Sequence, residues 1–179
     1  MNSYAVFLRG INVGGINIKM AELKDALASA GFTGVKTLLA SGNVVLASPD
    51  TPSAVKGQVE KCLRETFGYD AWVVVLTAQR VAELVAACPY PEDDKATHTY
   101  ITLSSDTARL DELDAAGAAL EGSEQKRLGP EALAWLAPVG GTLDSPFSKI
   151  SAKAKFKSST TTRNLRTLIK VRDAAAALA

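Results

Sequence analysis

The sequence predicts an α+β fold of two ferredoxin-like, α-β plait subdomains. Apolar runs and helical spacings alternate through residue 76 in the order β-α-β-β-α-β, which is the order of a plait. The second half reads α-β-α-β-β-α and suggests another α+β plait, dividing the chain into 1–77 and 78–179. At 179 residues, 47% apolar and 22% charged, the chain has material for one sizeable core or two small ones, and it is not a disordered, collagenous or disulfide-stapled chain.

Each element has a local reason. Tyr4 to Leu8 is a short apolar run with aromatic and β-branched members, a buried strand. Met20, Leu23, Leu27 and Ala30 recur at helical spacing, and Gly31 stops that helix. Val35 to Ala40 and Val44 to Ala47 read as a hairpin around Ser41-Gly42-Asn43. Pro52 suits a first helical turn, Val55, Val59, Cys62, Leu63 and Phe67 make one apolar face, and Gly68 ends it. Ala71 to Leu76 is a continuous apolar strand. Beyond it, Thr77 caps a helix carrying Val81, Leu84 and Val85, Thr97 to Leu103 is a strand, and Asp106 caps the next helix. Gly122 to Leu128 and Leu133 to Ala137 form a second hairpin, 138 to 162 is a basic loop, and Arg163 to Leu178 is a terminal helix.

Several chemistries lack material. Two cysteines, Cys62 and Cys88, cannot make a disulfide framework or a four-ligand zinc site. His98 is the only histidine, too little for a Ser-His-Asp triad or a His-rich metal centre. No metal and no cofactor is expected, and Glu92-Asp93-Asp94 reads as a solvated run. The start lacks a basic leader, and no stretch reaches the roughly 18 apolar residues of a membrane span. The expectation is a cytoplasmic protein with reduced thiols and no membrane partner.

Three polar motifs remain. The first loop runs from Arg9 to Lys19 and contains Gly10, Asn12, Gly14 and Gly15. Its glycines permit close backbone approach, so N–H groups there can converge on an anion between the cations Arg9 and Lys19. The spacing is neither G-x-G-x-x-G nor a P-loop, and glycines that merely shape a turn are the plain alternative. Ser41 and Asn43 are either hairpin-turn residues or hydrogen-bonding groups beside a ligand. In Thr160-Thr161-Thr162-Arg163-Asn164, Thr161 or Thr162 is read as an N-cap. Arg163 then sits in a first helical turn, where the macrodipole disfavours a cation, so it would answer an anion or a carboxylate instead.

The charge total hides an uneven distribution. The chain holds 20 basic and 19 acidic side chains. Residues 149–179 carry 8 basic and one acidic group, net +7, and residues 1–148 carry 12 basic and 18 acidic, net −6. Such a block contacts phosphates or docks on the acidic remainder of its own chain.

Taken together, Leu8 to Gly15, Ser41-Gly42-Asn43 and Thr161-Thr162-Arg163-Asn164 resemble the DUF1697 family of bacterial proteins. The resemblance implies two plait-like α+β subdomains in one compact unit and lends no established activity. It gives weight to Arg9, Asn12, Gly14, Gly15, Ser41, Asn43, Thr162, Arg163 and Asn164 as a set. Leu165 stands where the family more commonly carries tryptophan.

Three functional readings follow. The first is binding of a phosphate-bearing ligand, with nucleic acid or a nucleotide as the partner. The second is an enzyme acting on a small anionic substrate held by Arg9 and Arg163. The third is a structural or interaction module without a ligand.

Overall fold

The strands and helices divide between two units, Met1–Ala82 with Ile169–Ala179, and Glu83–Leu168. The computed structural model describes every residue except 10–15, 40–41, 93–95, 139–144, 158 and 179. In the first unit the order is β1 (Asn2–Leu8), α1 (Met20–Ser29), β2 (Thr33–Leu38), β3 (Asn43–Ser48), α2 (Pro52–Phe67) and β4 (Val73–Thr77). Its antiparallel sheet runs β2-β3-β1-β4, so the hairpin partner β3, and not β2, lies beside β1.

Strand alternation sorts these residues onto two faces. Tyr4, Val6 and Leu8 pack with Val44, Leu46 and Val73, and with Leu23 and Leu27 of α1 and Val55, Val59 and Leu63 of α2. On the other face Ala5, paired with Val45 and Leu76, is buried as well. The borders of α2 follow its end chemistry. Thr51 Oγ1 accepts from the Ala54 N–H at 3.3 Å, Pro52 fills the first turn, and Gly68 closes the helix in the left-handed region at φ 67°.

The second unit contains β5 (Thr97–Ser104), α4 (Thr107–Ala118), β6 (Gln125–Gly129), β7 (Ala132–Pro138), the short helices α5 (Pro146–Ser151) and α6 (Ala154–Lys157), and β8 (Thr160–Asn164). Its sheet runs β6-β7-β5-β8, repeating the strand pattern of the first. Leu110, Leu113, Leu133, Trp135, Phe147 and Phe156 form the core on its helical side. Thr77 and Asp106 cap as the sequence indicates, accepting from the Arg80 and Arg109 N–H groups at 3.1 and 3.2 Å. The helix α3 (Ala78–Ala87) follows β4, and α7 (Leu165–Ala176) ends the chain's regular structure.

Two expectations need correction. The stretch 138–162 is not all loop, because it contains α5, α6 and the start of β8. Thr160 to Asn164 is not a helix entry, because it pairs antiparallel with Ser104 to Tyr100 as the fourth strand of the second plait. Three consecutive β-branched threonines favour that conformation, although their polarity hides it from a search for apolar runs. The helix starts one residue after Asn164, whose Oδ1 accepts from the Arg166 N–H at 2.8 Å. The last residues belong with the first unit: Gly34 takes φ 60°, and a Cβ there would lie 3.0 Å from Cδ2 of Leu178.

Candidate functional site

The first two motifs meet because β3 lies beside β1. Phe7 pairs with Asn43, and one step further the Leu8 N–H donates to the Gly42 carbonyl at 2.8 Å. Arg9 therefore leaves the sheet directly beside the hairpin end. Gly42 adopts φ 84°, a left-handed conformation that glycine tolerates without a Cβ clash. The Asn43 side chain is fully buried, and its Nδ2 donates to the Leu38 carbonyl at 3.0 Å, tying the two hairpin strands together. Asn43 thus has a structural task at this position.

Arg9 is half-buried, and that burial lowers its guanidinium pKa from the usual arginine value. Lys19 is exposed and holds the N-cap position of α1 in extended geometry (φ −74°, ψ 134°), with no side-chain cap. Gly10, Asn12, Gly14, Gly15 and Ser41 lie outside the described residues.

The third motif belongs to the second unit. Thr162 lies opposite Thr102 in the sheet, and their hydroxyl oxygens are 2.9 Å apart. Trp135 Nε1–H donates to the same Thr102 oxygen at 3.0 Å, so a polar chain crosses three strands beneath the helices. Arg163 is opposite Ile101, on the other face. Only 7% exposed, it donates from Nη1 to Thr161 Oγ1 at 2.7 Å and to the Thr162 carbonyl at 3.0 Å. Burial pulls its pKa down to about 10.

The basic C-terminal block is divided. Lys149, Lys153, Lys155, Arg166 and Lys170 are exposed. Lys155 Nζ lies 3.4 Å from Glu112, and Arg172 pairs with Asp173 at 2.9 Å. Part of the segment thus meets carboxylates of its own chain.

The remaining reactive groups sit in packing roles. Burial raises the thiol pKa of Cys62 and of Cys88. His98 Nδ1 is 3.4 Å from the Tyr100 hydroxyl, and Tyr100 stacks on Trp135 with centroids 4.9 Å apart. Among the described residues no group of three His, Cys, Asp or Glu is placed to hold a metal, and no helix is long and apolar enough to cross a membrane. Composition does not signal Glu60, a buried carboxylate on α2 that accepts from Lys56 Nζ at 2.7 Å and from the Val73 N–H at 3.2 Å. Leu39, placed in a strand by the sequence, instead leaves β2 in the left-handed region at φ 59°.

These features define an α+β protein of two four-stranded plaits with a polar motif set at the strand ends of the first. The chain belongs to the family described as protein of unknown function (DUF1697), whose model matches residues 1–133. It is similar in fold to a conserved bacterial protein from Streptococcus pneumoniae, with a TM-score of 0.81 and 21% sequence identity over 97% of this chain and 98% of that one. No curated protein matches it.

Proposed function

We propose that the protein binds a phosphate-bearing ligand, nucleic acid or a nucleotide, where Arg9 emerges beside the β2–β3 hairpin. The observation that carries this is the Leu8 N–H to Gly42 carbonyl bond, which joins the first two motifs at one sheet end. A partly desolvated guanidinium makes a stronger charge-assisted bond to phosphate than one fully in water. The exposed lysines of the C-terminal block also suit nucleic-acid phosphates.

The test is titration of pyrophosphate and of a labelled single-stranded RNA at low and at high salt. Binding should weaken steeply with salt, and Arg9→Ala should weaken it on the order of tenfold. Absence of binding at low salt, where a phosphate-driven complex is tightest, would defeat the proposal.

For the third motif a structural reading has its own support. Arg163 is buried and spends two hydrogen bonds on its own strand, at Thr161 and Thr162. On this reading Arg163→Ala lowers stability and leaves affinity for pyrophosphate unchanged.

A further inference from the structure

We infer that the ligand of this site carries an aromatic base joined to its phosphate, and that Leu39 receives the base. The inference rests on the phosphate reading above and adds the residue that meets the base. Among the described residues only Met1 and Leu39 are large apolar side chains exposed to solvent, and Met1 lies at the opposite end of β1 from Arg9. Leu39 is 48% exposed. It is also the one non-glycine residue with positive φ among the described residues, at 59°.

A single exposed leucine is ordinary, and so is a single left-handed turn residue. Their coincidence is not. The left-handed region crowds Cβ against the following carbonyl, and a bulky branched side chain is rare there. Glycine or asparagine would adopt the same backbone at lower cost without placing apolar surface in water. Folding thus argues against leucine at this corner on two counts.

The position supplies a reason. Leu38 pairs with Asn43, whose side chain holds the Leu38 carbonyl and fixes the corner from which Leu39 projects. Asn43 pairs in turn with Phe7, and Leu8 holds Gly42 one step on. Leu39 and Arg9 therefore lie at the same end of the sheet, separated by two strand spacings, on the order of 10 Å. A nucleotide spans a comparable distance from phosphate to base. With its phosphate on Arg9, its base comes within reach of Leu39, whose contact is indifferent to base identity because every base presents an apolar face. Inorganic phosphate has nothing to offer the leucine.

The experiment titrates pyrophosphate, adenosine triphosphate and a short single-stranded RNA into wild type, Leu39→Asn, Leu39→Met and Arg9→Ala at low salt. The wild type should bind the triphosphate or the RNA more tightly than pyrophosphate, and the tighter of the two names the source of the base. Leu39→Asn should weaken that binding about fivefold or more through lost apolar contact, leave pyrophosphate within about twofold, and raise Tm by about 2–4 °C through relief of strain. Leu39→Met keeps an apolar side chain and should retain nucleotide affinity. Arg9→Ala should weaken all three probes. Equal affinity for nucleotide and pyrophosphate, or an unchanged nucleotide affinity in Leu39→Asn, overturns this inference alone. Failure of all three probes to bind overturns the phosphate reading with it.

Discussion

Two glycines in helices should respond to alanine with opposite signs. Gly57 lies inside α2, and a Cβ built there meets nothing within 4 Å. Gly57→Ala should therefore stabilise the protein by about 0.5–1 kcal/mol through helix propensity alone. Gly117 lies near the end of α4, where the propensity gain is at most about 1 kcal/mol. Its Cβ would sit 2.6 Å from Cε2 of Phe147 and closer still to Oε1 of Gln125. Neither neighbour yields cheaply. The Phe147 ring is wedged against Trp135 with centroids 4.7 Å apart, and forcing an extra methyl into such a core costs about 1–3 kcal/mol. Gln125 is anchored through Nε2 to the Asp114 carbonyl at 2.7 Å and to its carboxylate at 2.6 Å, so withdrawing it risks two bonds of about 1 kcal/mol each. Net destabilisation for Gly117→Ala is about 1–3 kcal/mol. Urea denaturation of both variants measures the contrast at constant m-value. A Gly117→Ala protein as stable as wild type would refute the packing described for α4, β6 and α5.

Further outcomes follow from buried polar groups. The Tyr69 hydroxyl is buried and has no hydrogen-bond partner among the described residues, so Tyr69→Phe should stabilise by about 1 kcal/mol; a loss of stability would mean the hydroxyl is satisfied. Burial also pushes the Tyr69 pKa up to about 12 from 10. Its contribution is fully present below pH 10 and is lost as pH rises toward 12, so the fall in stability across that window should be shallower in Tyr69→Phe. Glu60→Ala strands the Val73 N–H and leaves the Lys56 ammonium only its bond to the Val73 carbonyl at 3.0 Å, and should cost about 1–3 kcal/mol in chemical denaturation. A cost below about 0.5 kcal/mol would show that α2 and β4 are held by apolar packing alone. Both thiols, with raised pKa values, should react with a disulfide reagent at neutral pH more slowly than free cysteine, and rapid labelling of native protein would contradict their burial.

The first plait was legible in the sequence because its signals are strong and local. Pro52 and Gly68 mark the two ends of α2, and β1, β3 and β4 are apolar runs between turn residues. The fourth strand of the second plait was not legible. Thr160 to Asn164 has neither an apolar run nor polar–apolar alternation, and its burial comes from tertiary pairing with β5. That one strand also changes the meaning of Arg163, from a cation misplaced at a helix start to a buried strand residue bonded to Thr161 and Thr162 of its own strand. The sequence proposes Arg9 and Asn43 as a site but not their adjacency, which depends on β3 lying next to β1. Leu39 carries no local signal, since a leucine following Leu38 reads as strand and only its φ marks it.

The most direct measurement is backbone amide chemical-shift mapping on nitrogen-labelled protein titrated with pyrophosphate and then with the RNA at low salt. The largest shifts should fall on Leu8, Arg9, Gly42 and Asn43, with smaller ones along the exposed C-terminal lysines for RNA only. Shifts confined to Lys149 to Arg172, or none on the Arg9 side, would contradict a phosphate site at the end of the first sheet.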